Sequence, residues 1–572
     1  MPGFQDTTGL QTLLTVAISG VLTLVLGLIA LLFPNTANHF FRRVEQSFSH
    51  FAERRVLAIL VLFFSVIAVR LLALPLLPVP VPGIHDEFSY LLMADTFTHG
   101  RLANPPHPMW VSFETFHVNW FPNIASMYPP AQGVALALGQ LLGHPWIGAL
   151  LSDAAMCAAI LWMLQGWLPA RWAFLGGVLV ALKFGVASYW MNSYWGGATA
   201  AIGGALVLGA LVRIVKRAKI RDAVLLGIGV AILANSRPYE GFLFCVPAAA
   251  WFLWWLIGKT KSRQPLRTRL QNALAPLGLV LVLTAVFMGY YNWRLTGNPL
   301  LLPHVLNQRT YHYRLFLWDQ KKPEMRYRNQ QFEDYYNGWE RENYGNTWAD
   351  VVRVSKEKLT RCGLTYFWCG ELLLLPALPF LFRDRKVRLF LTTFALVTAG
   401  VFAVIWSYAH YAAPLTCVIF ALTVQAIRHL RTMRIGMRSL GMPLSRAIVL
   451  LLVLDTGINT FRGICDPLLW PCQGDPSRAA IAEKLQHTPG KHLIMVRYDK
   501  DDHNIHDEWV YNGAEIDTAK VLWARELDPQ QNAKLFAYFR DRKIWLVTPD
   551  SDNTYLEPYT PPGSRTEGDS DE

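Results

Sequence analysis

Charge is scarce in this sequence. Asp, Glu, Lys and Arg make up only 16% of its 572 residues, whereas 52% of the residues are apolar and 13% are aromatic. So little charge over such a length excludes a soluble globular protein, in which about a quarter of the residues are normally charged. The apolar residues are gathered in long runs. The sequence therefore predicts a polytopic all-α membrane protein.

Other features are also missing. The first apolar run has Asp6 before it, no basic leader segment and no small-residue cleavage site, so we expect a retained helix and not a signal peptide. No segment is repeated, and no pair of interrupted helices occupies matching halves, which disfavours a secondary transporter. Cysteines number only seven. Cys465 and Cys472 flank a short Pro-containing segment, where a disulfide and two free thiols both remain open.

The apolar runs set the predicted topology. About twelve are long enough to cross roughly 30 Å of hydrocarbon, and they lie near residues 10–33, 56–77, 145–167, 172–190, 197–215, 221–236, 241–258, 271–291, 364–382, 387–406, 409–428 and 446–464. The net charge of +12 comes from basic clusters in alternate connections, not from one soluble domain, so nucleic acid is not an expected partner. By the positive-inside rule those connections are cytoplasmic. Loops 78–144 and 292–363 and the chain after about residue 465 are then exported.

Four parts of the chain follow from this pattern. Residues 1–55 form an extra N-terminal transmembrane helix and a basic cytoplasmic loop, and residues 56–465 form the main transmembrane region. Residues 475–550 alternate between helix-like and strand-like segments, which predicts a small exported α/β domain with a mainly parallel sheet. Residues 551–572 are rich in acidic residues, Pro and Gly, and we expect a disordered tail.

One acidic stretch, Gly83 to Tyr90 (GIHDEFSY), follows the second span and its Pro-rich exit. Asp86 and Glu87 are adjacent there, behind His85, and residues 87–98 have apolar side chains at roughly helical spacing. We expect an amphipathic helix on the membrane surface with both carboxylates at its N-terminus, where the helix dipole favours negative charge. On composition alone, a solvated acidic loop is the alternative interpretation.

Three further segments are candidates for the same face of the membrane. Tyr128 precedes two prolines and the apolar segment 131–142, which is too short to span and predicts a re-entrant or interfacial helix. Arg237 and Glu240 lie in a turn between two short spans, where a buried charge either pairs with its neighbour or lines a ligand site. His410 begins the eleventh predicted span on that side.

Metal ligation has no clear sequence signature. His503, His506, Asp507 and Glu508 are ligand types, but they match no established ligand spacing, so we expect a solvated loop. A divalent metal is therefore left open, and no cofactor is assigned.

The order of these segments resembles the GT-C superfamily of membrane glycosyltransferases, over roughly residues 56–430. It is most similar to the branch that holds the protein O-mannosyltransferases and the lipid A aminoarabinose transferase. The resemblance rests on the pair Asp86-Glu87 in the first exported loop, the Tyr128-Pro-Pro motif before a short helix, Arg237-Pro238 between short spans, and His410-Tyr411 opening a late span. The extra N-terminal span, His85 before the acidic pair and the C-terminal α/β domain depart from the best-known members.

The resemblance implies a multi-pass enzyme of the bacterial inner membrane that transfers a hexose-type sugar, with inversion, from a polyprenyl-phosphate donor to a glycan, lipid or protein acceptor on the exported face. It implies Asp86 as general base or acceptor-orienting carboxylate, and Arg237 and His410 as groups that stabilise the departing phosphate. His85, Glu87, Tyr128 and Glu240 are the remaining predicted substrate-binding residues. A lipid or sugar transporter, a flippase and a non-catalytic assembly protein are the alternatives.

The predicted topology can be tested with reporters. We expect a periplasm-active phosphatase fused after Leu468 to be active and a cytoplasm-dependent fluorescent reporter at the same position to be dark, because the basic clusters place this connection on the exported side. Fusions within 213–221 should give the reverse. A reporter after Leu468 that works only in the cytoplasm would refute the prediction.

Overall fold

The computed structural model describes residues 2–258, 264–319, 325–345, 347–434, 440–465, 476–499, 503–550 and 555–560. Side chains of residues 2–12 and 462–465 are outside this description. Cys472 and most of the predicted acidic tail lie outside the described residues, so the disulfide and the disordered tail stay predictions.

The described chain is mainly helical, with nine helices that are long and apolar enough to cross a membrane. They are Leu13–Leu32, Arg55–Leu72, Pro145–Trp167, Ala198–Arg217, Pro238–Ile257, Leu266–Thr296, Arg385–Ala403, Ala409–Arg431 and Gly441–Phe461. Ala409–Arg431 lies at the centre of the bundle, with 89% of its apolar window buried, whereas Leu266–Thr296 lies at the periphery with 11% buried. The prediction of a polytopic α-helical membrane protein is confirmed.

The count of about twelve spans is too high for the described residues. The segments near 172–190 and 221–236 form the helices Ala170–Phe184 and Ile220–Ala234, of 15 residues each. At 1.5 Å per residue each is only about 22 Å long, shorter than the hydrocarbon core. The segment 364–382 forms a bent pair with the helix before it: Trp348–Tyr366 and Cys369–Arg383 meet at 94°, and counting this pair as one span gives ten.

Short elements complete the membrane region. The predicted basic loop after the first span contains the helix Asn38–Glu53, in which Glu45 pairs with Arg431 and Arg446 at 2.8 and 2.9 Å. A π-helical turn, Leu270–Leu274, joins Leu266–Arg269 to Ala275–Thr296. The span Ala409–Arg431 begins as a 3-10 helix, Ala409–Leu415, and continues as Thr416–Arg431. Cys369–Ala377, Leu378–Arg383, Arg385–Val387 and Arg388–Ala403 precede it.

The segment between the second and third spans, residues 78–144, forms a structured cap. Its helices are His85–Thr98, Trp110–Phe113 and Pro130–Leu141, and its two short strands, β1 (Val118–Asn119) and β2 (Ala125–Ser126), pair antiparallel. The short helix predicted at 131–142 is confirmed as Pro130–Leu141. Proline at its first position is favourable because that residue needs no backbone N–H donor.

The apolar spacing of helix His85–Thr98 predicted that it lies on the membrane surface with one face exposed. In the structure the rest of the chain covers it instead. Tyr90, Met93 and Ala94 pack into the core of the membrane bundle, and Leu92 packs into a separate core with Leu493 and Leu522 of the C-terminal domain. Both sides of the helix are therefore enclosed. The physical reason is that a second apolar surface, supplied about 400 residues later in the chain, covers the face that would otherwise meet lipid or water.

The second loop, residues 297–347, is built from aromatic contacts. It contains the helices Pro303–Tyr311, Gln330–Phe332 and Glu340–Asn343 and a π-helical segment, Glu333–Trp339. Phe116 of the cap packs with Tyr311, Tyr313, Phe332 and Tyr336 in one buried cluster. The cap and the second loop thus form a continuous structure at one end of the bundle.

The C-terminal domain has the predicted α/β arrangement. Strands β3 (Lys491–Val496), β4 (Val521–Arg525), β5 (Arg542–Val547) and β6 (Leu556–Pro558) form one sheet in the order β4-β3-β5-β6. The first three are parallel and β6 is antiparallel to β5, with helices Pro476–His487 and Pro529–Tyr538 alongside. Strand β3 reads as an almost unbroken apolar run, which is typical of a parallel strand covered on both faces.

A buried ion pair joins this domain to the cap and the second loop. Arg525 at the end of β4 pairs with Glu508, and their side chains are only 2% and 1% exposed. The Arg525 guanidinium also donates to the Gln331 side chain at 2.6 Å and to the Glu114 carbonyl at 3.2 Å. The backbone N–H of Ala514 donates to Asp95 at 2.7 Å. Within the loop 503–508, expected from the sequence to be solvated, Asn504 and His506 are exposed, whereas Glu508 is buried at this contact.

Removing one partner of this pair should weaken the attachment of the domain. We expect Arg525→Met to lower the free energy of unfolding by about 3 to 5 kcal/mol, because it leaves the Glu508 charge buried without its cation. The matched control is Arg497→Met at the end of β3, whose pair with Glu526 is 39% exposed on the arginine side and should be worth at most about 1 kcal/mol. Thermal unfolding and limited proteolysis of the purified protein measure both; equal effects would contradict a special role for Arg525.

Candidate functional site

A cavity of about 840 Å³ lies where the cap, the second loop and the ends of several membrane helices meet. Five of the predicted site residues line it: His85, Asp86, Tyr128, Arg237 and Glu240. Glu87 and His410 are not among its lining residues. The structure therefore brings together side chains that are separated by about 150 residues in the chain.

Asp86 lies in the first turn of helix His85–Thr98. The Tyr128 hydroxyl donates to its Oδ1, and His117 Nδ1 lies 2.6 Å from the same oxygen. Burial raises the pKa of the Asp86 carboxyl, but the His117 imidazole and the hydrogen bonds from His117 and Tyr128 outweigh that effect and lower the pKa to about 2. Asp86 is therefore a carboxylate at neutral pH, held in one orientation and facing the cavity.

His117 is a cavity residue that the sequence did not single out. Its backbone has a φ of 60°, in the left-handed region, and its carbonyl accepts hydrogen bonds from Ser89 Oγ at 2.7 Å and from the Met127 N–H at 3.1 Å. The loop contains a second histidine, His107, which instead pairs with Asp517 of the C-terminal domain at 3.1 Å. No motif in the sequence singles out His117 over His107, because both lie in the same loop without periodicity.

His85 is held between the cap and the C-terminal domain. Its Nδ1 lies 3.0 Å from the Tyr511 hydroxyl, and its ring packs on Phe116 with 4.5 Å between centroids. Burial lowers the pKa of His85 well below its usual value, and the nearby His117 adds to this effect. His85 is thus a neutral imidazole in the cavity wall, and Tyr511 links its position to the docking of the C-terminal domain.

Glu87 points away from the cavity. Its carboxylate accepts backbone N–H groups from Gly83 at 2.9 Å and from Tyr194 at 3.0 Å. Burial raises the pKa of Glu87 to about 7 despite these two donors. The geometry links the start of the cap to the turn before the helix Ala198–Arg217. The sequence predicted that Glu87 binds substrate. Because Glu87 does not line the cavity, any effect on substrate binding would have to pass through this connection.

Arg237 immediately precedes the helix Pro238–Ile257, so the first N–H groups of that helix lie next to it. Its guanidinium lies 4.2 Å from the centre of the Tyr411 ring. No carboxylate of the described chain pairs with Arg237 within 4.0 Å, so the alternative of a direct Arg237–Glu240 ion pair is not realised in this conformation. A helix N-terminus with a guanidinium beside it is a suitable environment for an anion.

His410 lies one layer behind the cavity wall and is only 1% exposed. Its Nδ1 is 3.2 Å from the Tyr189 hydroxyl, and its ring packs on Trp195 with 4.6 Å between centroids. Its neighbour Tyr411 lines the cavity in its place, as does Trp195. The role predicted for His410 in binding phosphate would therefore be indirect.

Part of the cavity wall is aromatic. Tyr335, Trp339, Tyr344 and Trp406 line it and contact one another, with ring centroids 4.6 Å apart for Tyr344 and Trp406. His506 of the C-terminal domain packs edge-on against Trp339 at 4.6 Å. The C-terminal domain is therefore part of the cavity wall, which the chain order alone could not reveal.

The described residues contain no group of three or more His, Cys, Asp or Glu side chains arranged to hold a metal ion. His503 instead pairs with Asp550 at 2.9 Å, and Glu508 pairs with Arg525. The divalent metal that the sequence left open therefore has no set of ligands in this part of the chain.

No family model matches the chain, and no curated protein matches it. Among solved structures, it is similar to ArnT from Cupriavidus metallidurans bound to undecaprenyl phosphate, with 13% identity over 86% of this chain and 92% of that chain and a TM-score of 0.49. It is also similar to the Archaeoglobus fulgidus oligosaccharyltransferase tethered with an acceptor peptide, with 12% identity over 85% of this chain and 69% of that chain and a TM-score of 0.43. AglB from the same organism, in complex with an inhibitory peptide and a dolichol-phosphate, gives the same values. These similarities concern the course of the backbone.

Proposed function

We propose that the protein is a membrane glycosyltransferase that moves a sugar from a polyprenyl-phosphate donor to an acceptor hydroxyl on the exported face, with inversion at the anomeric carbon. One observation carries the proposal: a single cavity contains a fixed carboxylate, Asp86, and a separate guanidinium, Arg237, that has no ion-pair partner within 4.0 Å in the described chain. A group transfer from a phosphate needs both. The carboxylate assists the incoming hydroxyl and the cation stabilises the departing phosphate.

The donor lipid would enter the cavity along an apolar part of its wall. Met288, Leu302 and Val305 form an apolar part of the cavity wall. Met288 belongs to Leu266–Thr296, the helix with only 11% of its apolar window buried against the rest of the chain. An isoprenoid tail lying along this peripheral helix would bring its phosphate toward the head of the helix Pro238–Ile257. Arg237 stands there, and its charge-assisted hydrogen bonds suit a phosphate.

In the proposed transfer, one bond forms and one bond breaks at the anomeric carbon. The acceptor oxygen attacks the anomeric carbon as the bond from that carbon to the phosphate oxygen breaks, and the phosphate leaves with the bonding electrons. The acceptor hydroxyl proton passes to a base in the cavity, for which Asp86 is the candidate from the sequence. Tyr128 orients Asp86, whereas Glu87 and His410 support the wall from behind.

Arg237 should be required for binding the donor phosphate. We expect Arg237→Ala to weaken binding of undecaprenyl phosphate to the purified protein by about 10- to 100-fold, since a hydrogen bond to a charged group contributes about 1.5 to 3 kcal/mol. Quenching of tryptophan fluorescence provides the binding curve. The control is Arg309→Ala, an exposed arginine of the second loop, which removes one charge without touching the cavity. Unchanged affinity in Arg237→Ala would leave Arg237 with only its structural contact to Tyr411.

A substitution of Asp86 tests the proposed activity itself. Asp86→Asn keeps the size of the side chain but removes its charge, so transfer should fall by about 10²- to 10⁴-fold, or roughly 3 to 5 kcal/mol of barrier. The measurement is the loss of label from radiolabelled polyprenyl-phosphate sugars in membranes that contain the protein. Binding of undecaprenyl phosphate should change little.

Glu87→Gln is the comparison for Asp86→Asn, since Glu87 is the adjacent carboxylate and does not line the cavity. We expect it to affect stability more than rate, because it alters the bonds to the Gly83 and Tyr194 N–H groups. Wild-type transfer by Asp86→Asn at equal expression would contradict the proposed role of Asp86.

A further inference from the structure

The contact between Asp86 and His117 determines which ring nitrogen carries a proton. An ionised carboxylate only accepts hydrogen bonds, and His117 Nδ1 lies 2.6 Å from Asp86 Oδ1. Nδ1 must therefore be the donor. In a neutral imidazole the other nitrogen, Nε2, then has a free lone pair. Asp86 thus selects the tautomer of His117.

The His117 ring is also accessible from the cavity. The His117 ring lines the cavity, and its side chain is 16% exposed there. The hydrogen-bond contacts found for the ring in the described part of the chain are both made by Nδ1, to Asp86 and, at 3.1 Å, to the Tyr128 hydroxyl. A hydroxyl bound in the cavity could therefore reach Nε2 without displacing a protein group.

The backbone conformation of His117 indicates that the surrounding structure fixes the orientation of this residue. A residue with a positive φ is uncommon outside glycine, although histidine tolerates it better than most residues. Such a conformation is unfavourable by itself and is found where the surrounding structure imposes it. Ser89 and Met127 impose it here through their hydrogen bonds to the His117 carbonyl, and the result is a ring directed at Asp86.

We propose that His117 Nε2 is the proton acceptor of the transfer and that Asp86 is the residue that orients it. This inference rests on the proposed function and refines it. As the acceptor oxygen bonds to the anomeric carbon and the bond from that carbon to the phosphate breaks, the acceptor proton moves to Nε2, giving an imidazolium paired with the Asp86 carboxylate. The polyprenyl phosphate leaves with the electron pair.

Base strength agrees with this division of roles. A general base works best when its pKa lies near the working pH, and imidazole is the side chain that normally meets this condition. The lowered pKa of Asp86, about 2, makes that carboxylate a weak base but a good partner for an imidazolium. In other enzymes a buried aspartate orients a catalytic histidine in the same manner.

The remaining groups around His117 do not take over this role. Facing it are Asp86 and His85 of helix His85–Thr98, Tyr128 before the next cap helix, and His304 of helix Pro303–Tyr311, and Arg237 lines the same cavity. Burial lowers the pKa of His304 to about 4 and that of His85 well below its usual value. Both of these imidazoles are therefore held in the neutral form and are weak bases.

The first test uses His117→Asn. Asparagine tolerates a positive φ, and its amide can still donate to Asp86, but it has no equivalent of Nε2. We expect transfer of label from radiolabelled polyprenyl-phosphate sugars to fall by about 10²- to 10⁴-fold, with undecaprenyl phosphate binding within threefold of wild type. The acidic limb of the wild-type pH–rate profile should be absent from the residual activity. The control is His107→Asn, from the same loop but bonded to Asp517, which should keep wild-type transfer.

The second test uses His117→Gly, which fits the positive φ and leaves space for a free imidazole. Added imidazole should restore part of the transfer in His117→Gly and none in Asp86→Asn. Transfer within threefold of wild type in His117→Asn, with the same pH profile, would overturn the inference and leave Asp86 as the base of the proposed function. Loss of undecaprenyl phosphate binding in His117→Asn, or the absence of imidazole rescue, would also overturn it. No transfer by the wild-type protein with any labelled donor would overturn the proposed function and this inference with it.

Discussion

The carboxylate of Asp86 must be stabilised in a place where water is scarce, and much of the surrounding structure serves that requirement. An ionised carboxylate buried without partners would cost several kcal/mol. Three features offset this cost: the N-terminus of helix His85–Thr98, the Tyr128 hydroxyl and the His117 ring. Because Tyr128 and His117 come from different segments of the cap, the cap must fold as one unit before Asp86 can be accommodated.

The C-terminal domain also contributes to the surroundings of the Asp86 carboxylate. Tyr511 holds His85, the residue just before Asp86, and packs flat on Phe88 with 4.4 Å between ring centroids. The buried pair Arg525–Glu508 is stable only while water is kept from it, so the contact favours permanent docking over repeated opening. A domain that looks like an appendage in the chain order is thus part of the wall around the carboxylate.

Sequence reasoning succeeded where a local pattern reflects a local cause. The apolar runs, the helix after Pro129 and the parallel strands of the C-terminal domain all follow from side chains within about 20 residues of one another. Of the residues selected because their order resembles a known arrangement, Asp86, Tyr128 and Arg237 line one cavity, whereas Glu87 and His410 do not line it. These residues stand at the ends of predicted elements, where the pattern is most readable.

It failed where the cause lies far along the chain. His117 pairs with Asp86 from 31 positions away, across a loop without periodicity, and no window of sequence contains that contact. The helix beginning at His85 reads as amphipathic, since the domain that covers its second face is not visible locally. The two 15-residue helices, Ala170–Phe184 and Ile220–Ala234, were counted as spans because flanking turn residues continue the apolar run.

The proposed inverting transfer would also constrain where the charged groups of the site stand. Attack with inversion brings the incoming oxygen and the departing phosphate to opposite sides of the sugar ring, so the proposed base and the proposed phosphate-binding cation would have to stand on opposite sides of the bound sugar. Asp86 and His117 belong to the cap, whereas Arg237 stands at the head of a membrane helix. No ion pair within 4.0 Å joins Asp86 to Arg237 in the described chain, so under the proposed function Arg237 would remain available for a phosphate while Asp86 contacts His117.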